Sequence, residues 1–474
     1  MKISRRDALF GALFGGSMLG LRSIVSGLPI RLLLDPKKAM ADMQTTCAGD
    51  PNKAQFIVLC TSGQGDPMSC DAPGTYDDPT TGIDLSSLVH PDVTQYDWMT
   101  PAPMQIGGVQ YDAAGVWGQL APYLDRTTFC HIMTNTPVHP KEPDVLELMG
   151  ATQYSEMFPS ILSKQLAGCL ATLQTQPLSL GATTPSEALT FGGQALPTIP
   201  PTALSATLTN QTSSSYLGMT NLQSLRDSTL NDMYQWYSDS SQTTPAQRAY
   251  IDSLVTSQQQ VRGIKQDLLG MLSGITANDN NGQITAAVAL VLMGVAPVIA
   301  VHFPFGGDNH SDPLGFKNEA TQHQTGVAAL VQLLTTLGNN GLQDKVSILT
   351  LNVFGRTMAA YNTLGRQHNQ FHQLSLMIGK PFKGGVVGGI GGVDQNGNIV
   401  PVGSSKLFDF GALPFDATSG KAQPNGGTGS TIVQPLDQLA SWGKTVLTAV
   451  GATSDQVNAA ITSTTAQVIQ AALA

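Results

Sequence analysis

Apolar residues along this chain fall into short blocks set between stretches rich in Gly, Pro, Asn and Thr. Residues 55–61 hold Phe56-Ile57-Val58-Leu59-Cys60, a block too short for a helix and too continuous for a half-exposed strand. It predicts a strand buried on both faces. Residues 128–133, 297–303, 346–353 and 374–378 repeat that pattern. Between them, apolar positions recur at helical spacing over residues 111–124, 160–171, 222–238, 245–272, 282–294, 318–337, 436–450 and 454–474. Residues 175–215 show neither period, and no regular element is predicted there. Buried strands alternating with helices predict an α/β fold, a mainly parallel sheet flanked by helices. The helical stretch over about residues 205–280 reads as an insertion within a single domain covering 42–474.

The first 41 residues read differently. Lys2, Arg5 and Arg6 precede a mostly apolar, Gly-rich run, and Ala39-Met40-Ala41 is a small-x-small cleavage pattern. The Arg pair in Ser4-Arg5-Arg6-Asp7-Ala8-Leu9 is that of a twin-arginine signal, which predicts recognition by the Tat export machinery and a periplasmic or secreted protein. An ordinary secretory signal or an amino-terminal anchor is the alternative, but Arg22 splits the apolar run. Past the signal no run is long and isolated enough to span a bilayer, since Pro297 breaks residues 284–300.

Composition narrows the function. With 24 Lys+Arg against 33 Asp+Glu, the formal net charge is −9, and removal of the basic signal makes the chain more acidic still. That excludes the broad basic footprint of a nucleic-acid binder. The five cysteines all follow the signal and contain no Cys-x-x-Cys, so a thiol-only zinc site is not expected, whereas one or two disulfides are possible in an oxidising compartment.

Three predicted strands run directly into loops that hold the unusual polar residues. Residues 297–303 lead to Gly306-Gly307-Asp308-Asn309-His310, residues 346–353 to Phe354-Gly355-Arg356-Thr357, and residues 55–61 to Asp66 and Asp71. In a parallel sheet the carboxyl ends of the strands share one edge, where ligands bind. Asp and His together suit a divalent cation. His368 and His372 follow at a spacing that fits either one helical face or the two flanks of a loop. Asp308, His310, His368 and His372 are therefore the candidate metal ligands, with His139 and Arg356 as candidate catalytic groups. A bidentate guanidinium contact would orient an anionic ester. His90, His131, His302 and His323 read as structural, and Asp66 and Asp71 as turn formers. Thr134 and Thr136 are nominal nucleophiles.

These loops also resemble a known family. Gly306-Gly307-Asp308-Asn309-His310 is similar to its Gly-Gly-x-Asp-Thr-His segment, with one residue fewer, and Asn352-Val353-Phe354-Gly355-Arg356-Thr357 to its Ser-Glu-Phe-Gly-Arg-Thr. Gly365-Arg366-Gln367-His368-Asn369 resembles its Gly-Thr-Asp-His-Gly, and Lys383-Gly384-Gly385 the Lys-Gly-Gly that follows. Residues 134–139 resemble its upstream Thr-Asp…Asn-His loop. The family is that of twin-arginine-exported bacterial proteins catalogued as domain of unknown function 1501, grouped with the alkaline phosphatase and sulfatase superfamily. The resemblance implies an alkaline phosphatase-like fold and a metal site of Asp and His at strand ends, with Asp308, His310, His368 and His139 at matching positions. Val353 and Gln367 stand where the family has Glu and Asp, so one ion (Zn, Mn, Ca or Mg) or none is expected rather than two. The implied function is metal-dependent hydrolysis of a phosphate, sulfate or other anionic ester. The alternative is a catalytically degenerate envelope or secreted binding protein.

Overall fold

The computed structural model describes residues 53–204 and 270–474, apart from 77, 168–169, 171, 173, 182–188, 303–306, 313–315 and 360–364, together with 228, 232, 235 and 268. The proposed signal, Cys47, Cys169 and most of the expected helical insertion lie outside the described residues.

The principal strands are β1 (Phe56–Ser62), β2 (Thr127–Ile132), β3 (Leu178–Leu180), β4 (Thr198–Ile199), β5 (Val298–Val301), β6 (Val346–Asn352), β7 (Gln373–Ile378) and β8 (Gly385–Val387). The principal helices are α1 (Phe158–Ala167), α2 (Asn280–Leu292), α3 (Lys317–Asn339), α4 (Gln438–Ala449) and α5 (Ser454–Ala460). Contacts group the chain into two compact units. One unit, built from Ser163–Thr184 and Leu196–Ile299, holds the parallel pair β3–β4 and α2. Asp279 caps α2, its carboxylate accepting from the Gly282 amide at 2.8 Å.

The other unit takes in Asp50–Leu162, Pro185–Ala195 and Ala300–Ala474, and carries all the residues of the candidate sites. Its sheet runs β8-β2-β7-β6-β1. β1 pairs in parallel with β6 from Phe56↔Val346 to Ser62↔Asn352, and β2 in parallel with β8. β7 is antiparallel to both β6 and β2. Four strands thus point one way and only β7 runs against them, which is the mainly parallel α/β sheet that the sequence predicts. β2, β6 and β7 are buried along their whole length, as continuous apolar runs require. α3 buries Ala320, His323, Val327, Leu330, Leu334 and Leu337, a stripe at helical spacing.

Several local expectations are corrected. Residues 109–114 are a strand, not the start of a helix. They form a hairpin with Pro101–Ile106 across Gly107-Gly108, whose φ values of 59° and 82° supply the left-handed turn. The remaining part, Gly115–Arg126, is 3₁₀ and contains Pro122. α5 ends at Ala460 instead of running to the carboxyl terminus, because Ile461 turns extended and Thr462 binds the Ala151 carbonyl. The interval read as irregular contains β3 and β4. Cys60, Cys70 and Cys130 are buried thiols. Among the described residues, no helix is long and apolar enough to cross a membrane.

Candidate metal centre

β7 enters the sheet at the edge where β1, β2 and β6 leave it. The loops after those three strands and the segment leading into β7 therefore share one rim, and contacts with Arg356 and His368 bring Gly307 and His310 to it. Two contacts lock it. Asp66, in the loop after β1, accepts from the Leu374 amide of β7 at 2.7 Å, and its own amide donates to the Phe354 carbonyl. Gly355–Arg356 pairs antiparallel with His368–Asn369, placing Arg356 opposite His368.

On this rim one ring nitrogen each of His139, His310 and His368 lies within 4.8 Å of the other two. Each ring is held from behind. His139 Nδ1 lies 2.5 Å from the Gly63 carbonyl, His310 Nδ1 lies 2.9 Å from Gln367 Oε1, and His368 Nδ1 bonds the Pro137 carbonyl. A carbonyl can only accept, so Nδ1 of His139 and His368 must carry the proton. In the neutral ring the lone pair is then on Nε2. This is the outer support that fixes tautomer and ring orientation in histidine metal ligands. The Nε2 atoms of His310 and His368 stand only 2.7 Å apart. Two lone pairs at that distance repel unless a proton or a cation lies between them. Burial, joined by the positive Arg356 and the neighbouring His139 and His310, lowers the His368 pKa to about 4, so this imidazole is neutral at pH 7.

Aromatic packing fixes the rings further. Phe354 stacks on His368 with centroids 4.1 Å apart and meets His139 edge-on at 4.9 Å. Gly65 lies against this platform, where a Cβ would sit 2.6 Å from the Phe354 ring. Asp308 is 58 % exposed, with Oδ1 3.8 Å from His310 Nε2 and 4.0 Å from Arg356 Nη2. Burial raises its pKa, but the His310 amide and the charges of His310 and Arg356 outweigh that and leave it below the usual value. Arg356 itself is fully buried. Its guanidinium donates to the Gln64 and Gly307 carbonyls, joining the loops after β1 and β5. Burial, partly opposed by Asp308, lowers its pKa to about 10, which leaves it charged.

Of the residues singled out from sequence, Asp308, His310, His368, His139 and Arg356 meet on this rim. His372 does not join the three imidazoles. Its ring is buried and its Nε2 lies 2.9 Å from His131 Nδ1, while His131 Nε2 donates to the Pro73 carbonyl at 2.9 Å. Burial lowers the pKa of both rings, so they form a neutral interior pair. Thr134 and Thr136 are buried as well.

A second group passed unnoticed in the sequence. Cys70, Asp71 and Glu319, all fully buried, bring one donor atom each within 4.8 Å of one another. His323, read as structural, stands beside them with Nε2 3.6 Å from Asp71 Oδ2. The i, i+4 spacing of Glu319 and His323 on α3 is the only local trace of it. Among the described residues, two groups of buried or half-buried His, Asp, Glu and Cys can thus hold a metal ion. Compared with known proteins, the chain matches no family model and no curated protein sequence.

Proposed function

We propose that this chain is an exported single-metal hydrolase of the alkaline phosphatase and sulfatase type, acting on a phosphate, sulfate or related anionic ester. The observation that carries this reading is the state of the three imidazoles. Nδ1 of each is committed to an outer partner, which leaves three Nε2 atoms on a partly exposed rim. Three nitrogens with an open side are the arrangement of a catalytic zinc-type site. An ion held there would polarise an ester oxygen or generate a bound hydroxide.

The chain's own groups complete the chemistry. Asp308, ionised and exposed beside His310, is placed to accept a proton from a nucleophilic water. Arg356 acts from behind the rim. It holds two loops by their carbonyls, and its buried charge makes the rim attractive to an anion. Gln367 replaces an acidic residue of the resembled family, and its side chain orients His310 instead of adding a ligand. That favours one ion over two. The Arg5-Arg6 segment supports export through the twin-arginine route.

The second reading is a non-catalytic binding protein on the same fold. The burial of Thr134 and Thr136, which removes both as nucleophiles, favours it. Elemental analysis of the purified chain and a panel of aryl phosphate and sulfate esters separate the two. The hydrolase reading expects about one equivalent of divalent metal at the rim, lost in His310→Ala and His368→Ala. It expects Asp308→Ala to keep the metal but lose turnover by about 10²-fold or more. Metal retained at the rim with no ester turned over would leave the binding protein, and a rim that holds no metal would end the hydrolase reading.

A further inference from the structure

The interior group around Asp71 shares no residue with the three imidazoles and is closed to solvent. Cys70 ends the 3₁₀ turn Pro67–Cys70, Asp71 is the next residue, and Glu319 and His323 are one turn apart on α3. Each of the last three has one polar atom anchored outward and another turned inward. Asp71 Oδ1 accepts from Tyr76 Oη at 3.1 Å and from His90 Nδ1 at 3.1 Å, and Tyr76 stacks on His90. Glu319 Oε2 is bound by Arg366 Nε. His323 Nδ1 donates to the Glu319 carbonyl at 3.1 Å. The inward atoms, Asp71 Oδ2, Glu319 Oε1 and His323 Nε2, are buried, and among the described residues none has a hydrogen-bond partner outside this group.

Such acceptors are normally satisfied. Here the two carboxylates meet a thiol within 4.8 Å, His323 Nε2 lies 3.6 Å from Asp71 Oδ2, and the carboxylates and imidazole are each braced from behind as ligands in a built metal site are. We propose that Cys70, Asp71, Glu319 and His323 form a closed structural site for one zinc-class divalent cation. The charges balance. A Cys70 thiolate, two carboxylates, a dipositive ion and the Arg366 guanidinium sum to zero. Without the ion the same neutrality requires a proton on Glu319 and one on Cys70. Metal uptake therefore releases two protons, one from each of those groups. A thiolate with imidazole and carboxylate selects zinc or cobalt over magnesium and calcium, and a full protein ligand set marks a structural site, not a catalytic one.

Cobalt(II) tests this directly, because a thiolate ligand gives a near-ultraviolet charge-transfer band that an all-imidazole site cannot give. The full chain is unfolded in chelator, refolded with cobalt and freed of loose metal. The expected result is the thiolate band together with intense visible bands of tetrahedral cobalt. The thiolate band persists in the His310→Ala/His368→Ala double variant and vanishes in Cys70→Ser. Glu319→Gln, which keeps an acceptor for Arg366, is expected to weaken cobalt retention by at least about tenfold. Refolded chain that shows no thiolate band overturns the proposal. So does a band that survives in Cys70→Ser, since another thiol would then be the ligand. Absence of the band in the unmodified chain is decisive even where a variant fails to fold, and failure of the three-imidazole site leaves the thiolate band untouched.

Discussion

Single residues set much of the chemistry here through what holds them, and Asp409 gives the clearest test of such holding away from both metal-type groups. Its Oδ1 accepts from the Met358 and Ala359 amides, each at 2.9 Å, while Oδ2 is buried. Burial outweighs those hydrogen bonds and raises its pKa to about 6. A carboxyl whose folded pKa is raised stabilises the fold most when both states are protonated, below its ordinary value near 3.8. That contribution fades as pH rises through about 6. A shift of this size is worth about 2.4 kcal/mol between pH 4 and pH 7. Asp409→Asn keeps the accepting oxygen and removes the titration. Relative to wild type, the variant should gain about that much stability on going from pH 4 to pH 7 in denaturant unfolding. An equal difference at both pH values would refute the argument. The same scale explains which site residues were legible. His310 and His368 lie in loops directly after or before buried strands, so their position on a rim followed from sequence. His372 carries the same residue type four positions later, but Phe371 and Gln373 draw it into the buried start of β7. Residue type and spacing do not reveal which side of a strand entry faces solvent.

Elements were most readable where burial was complete. β1, β6 and β7 are uninterrupted apolar runs, and their limits lie within a residue or two of those expected. The helical period failed at residues 111–124, where Gly107-Gly108 closes a hairpin and the alternating burial of Val109–Ala114 mimics part of a helical stripe. α2 is apolar nearly all round and gives little internal guide to its ends, so its start depends on Asp279. Asp279→Ala removes the acceptor for the Gly282 amide and should cost about 1 kcal/mol of unfolding free energy. Asp279→Asn should restore most of it. A loss unchanged in the Asn variant would mean that charge, not the capping hydrogen bond, sets the start of α2.

At the scale of the whole chain, protection should follow the sheet of the larger unit. β6 is bonded on both sides and buried along its length, with β1 and β7 as neighbours. Amide exchange in β6 and β7 should therefore need global opening and be the slowest measured, while residues near the 90 % exposed Tyr154 exchange through local fraying. Exchange in β6 as fast as around Tyr154 would contradict the topology. This is also the scale at which sequence said least about the second donor group. Cys70 and Asp71 follow β1, whereas Glu319 and His323 belong to α3, and only the completed packing brings those segments together.

The wide sequence separation within the rim carries a consequence for the order of assembly. His368 bonds a carbonyl 231 residues earlier, at Pro137, and His139 bonds one 76 residues earlier, at Gly63. No short stretch emerging from the ribosome contains the three rings, and each is aimed only once the partner loop is in place. Capture of an ion at this rim would thus follow the docking of those loops, and a nascent chain that stops before His368 lacks one of the three rings.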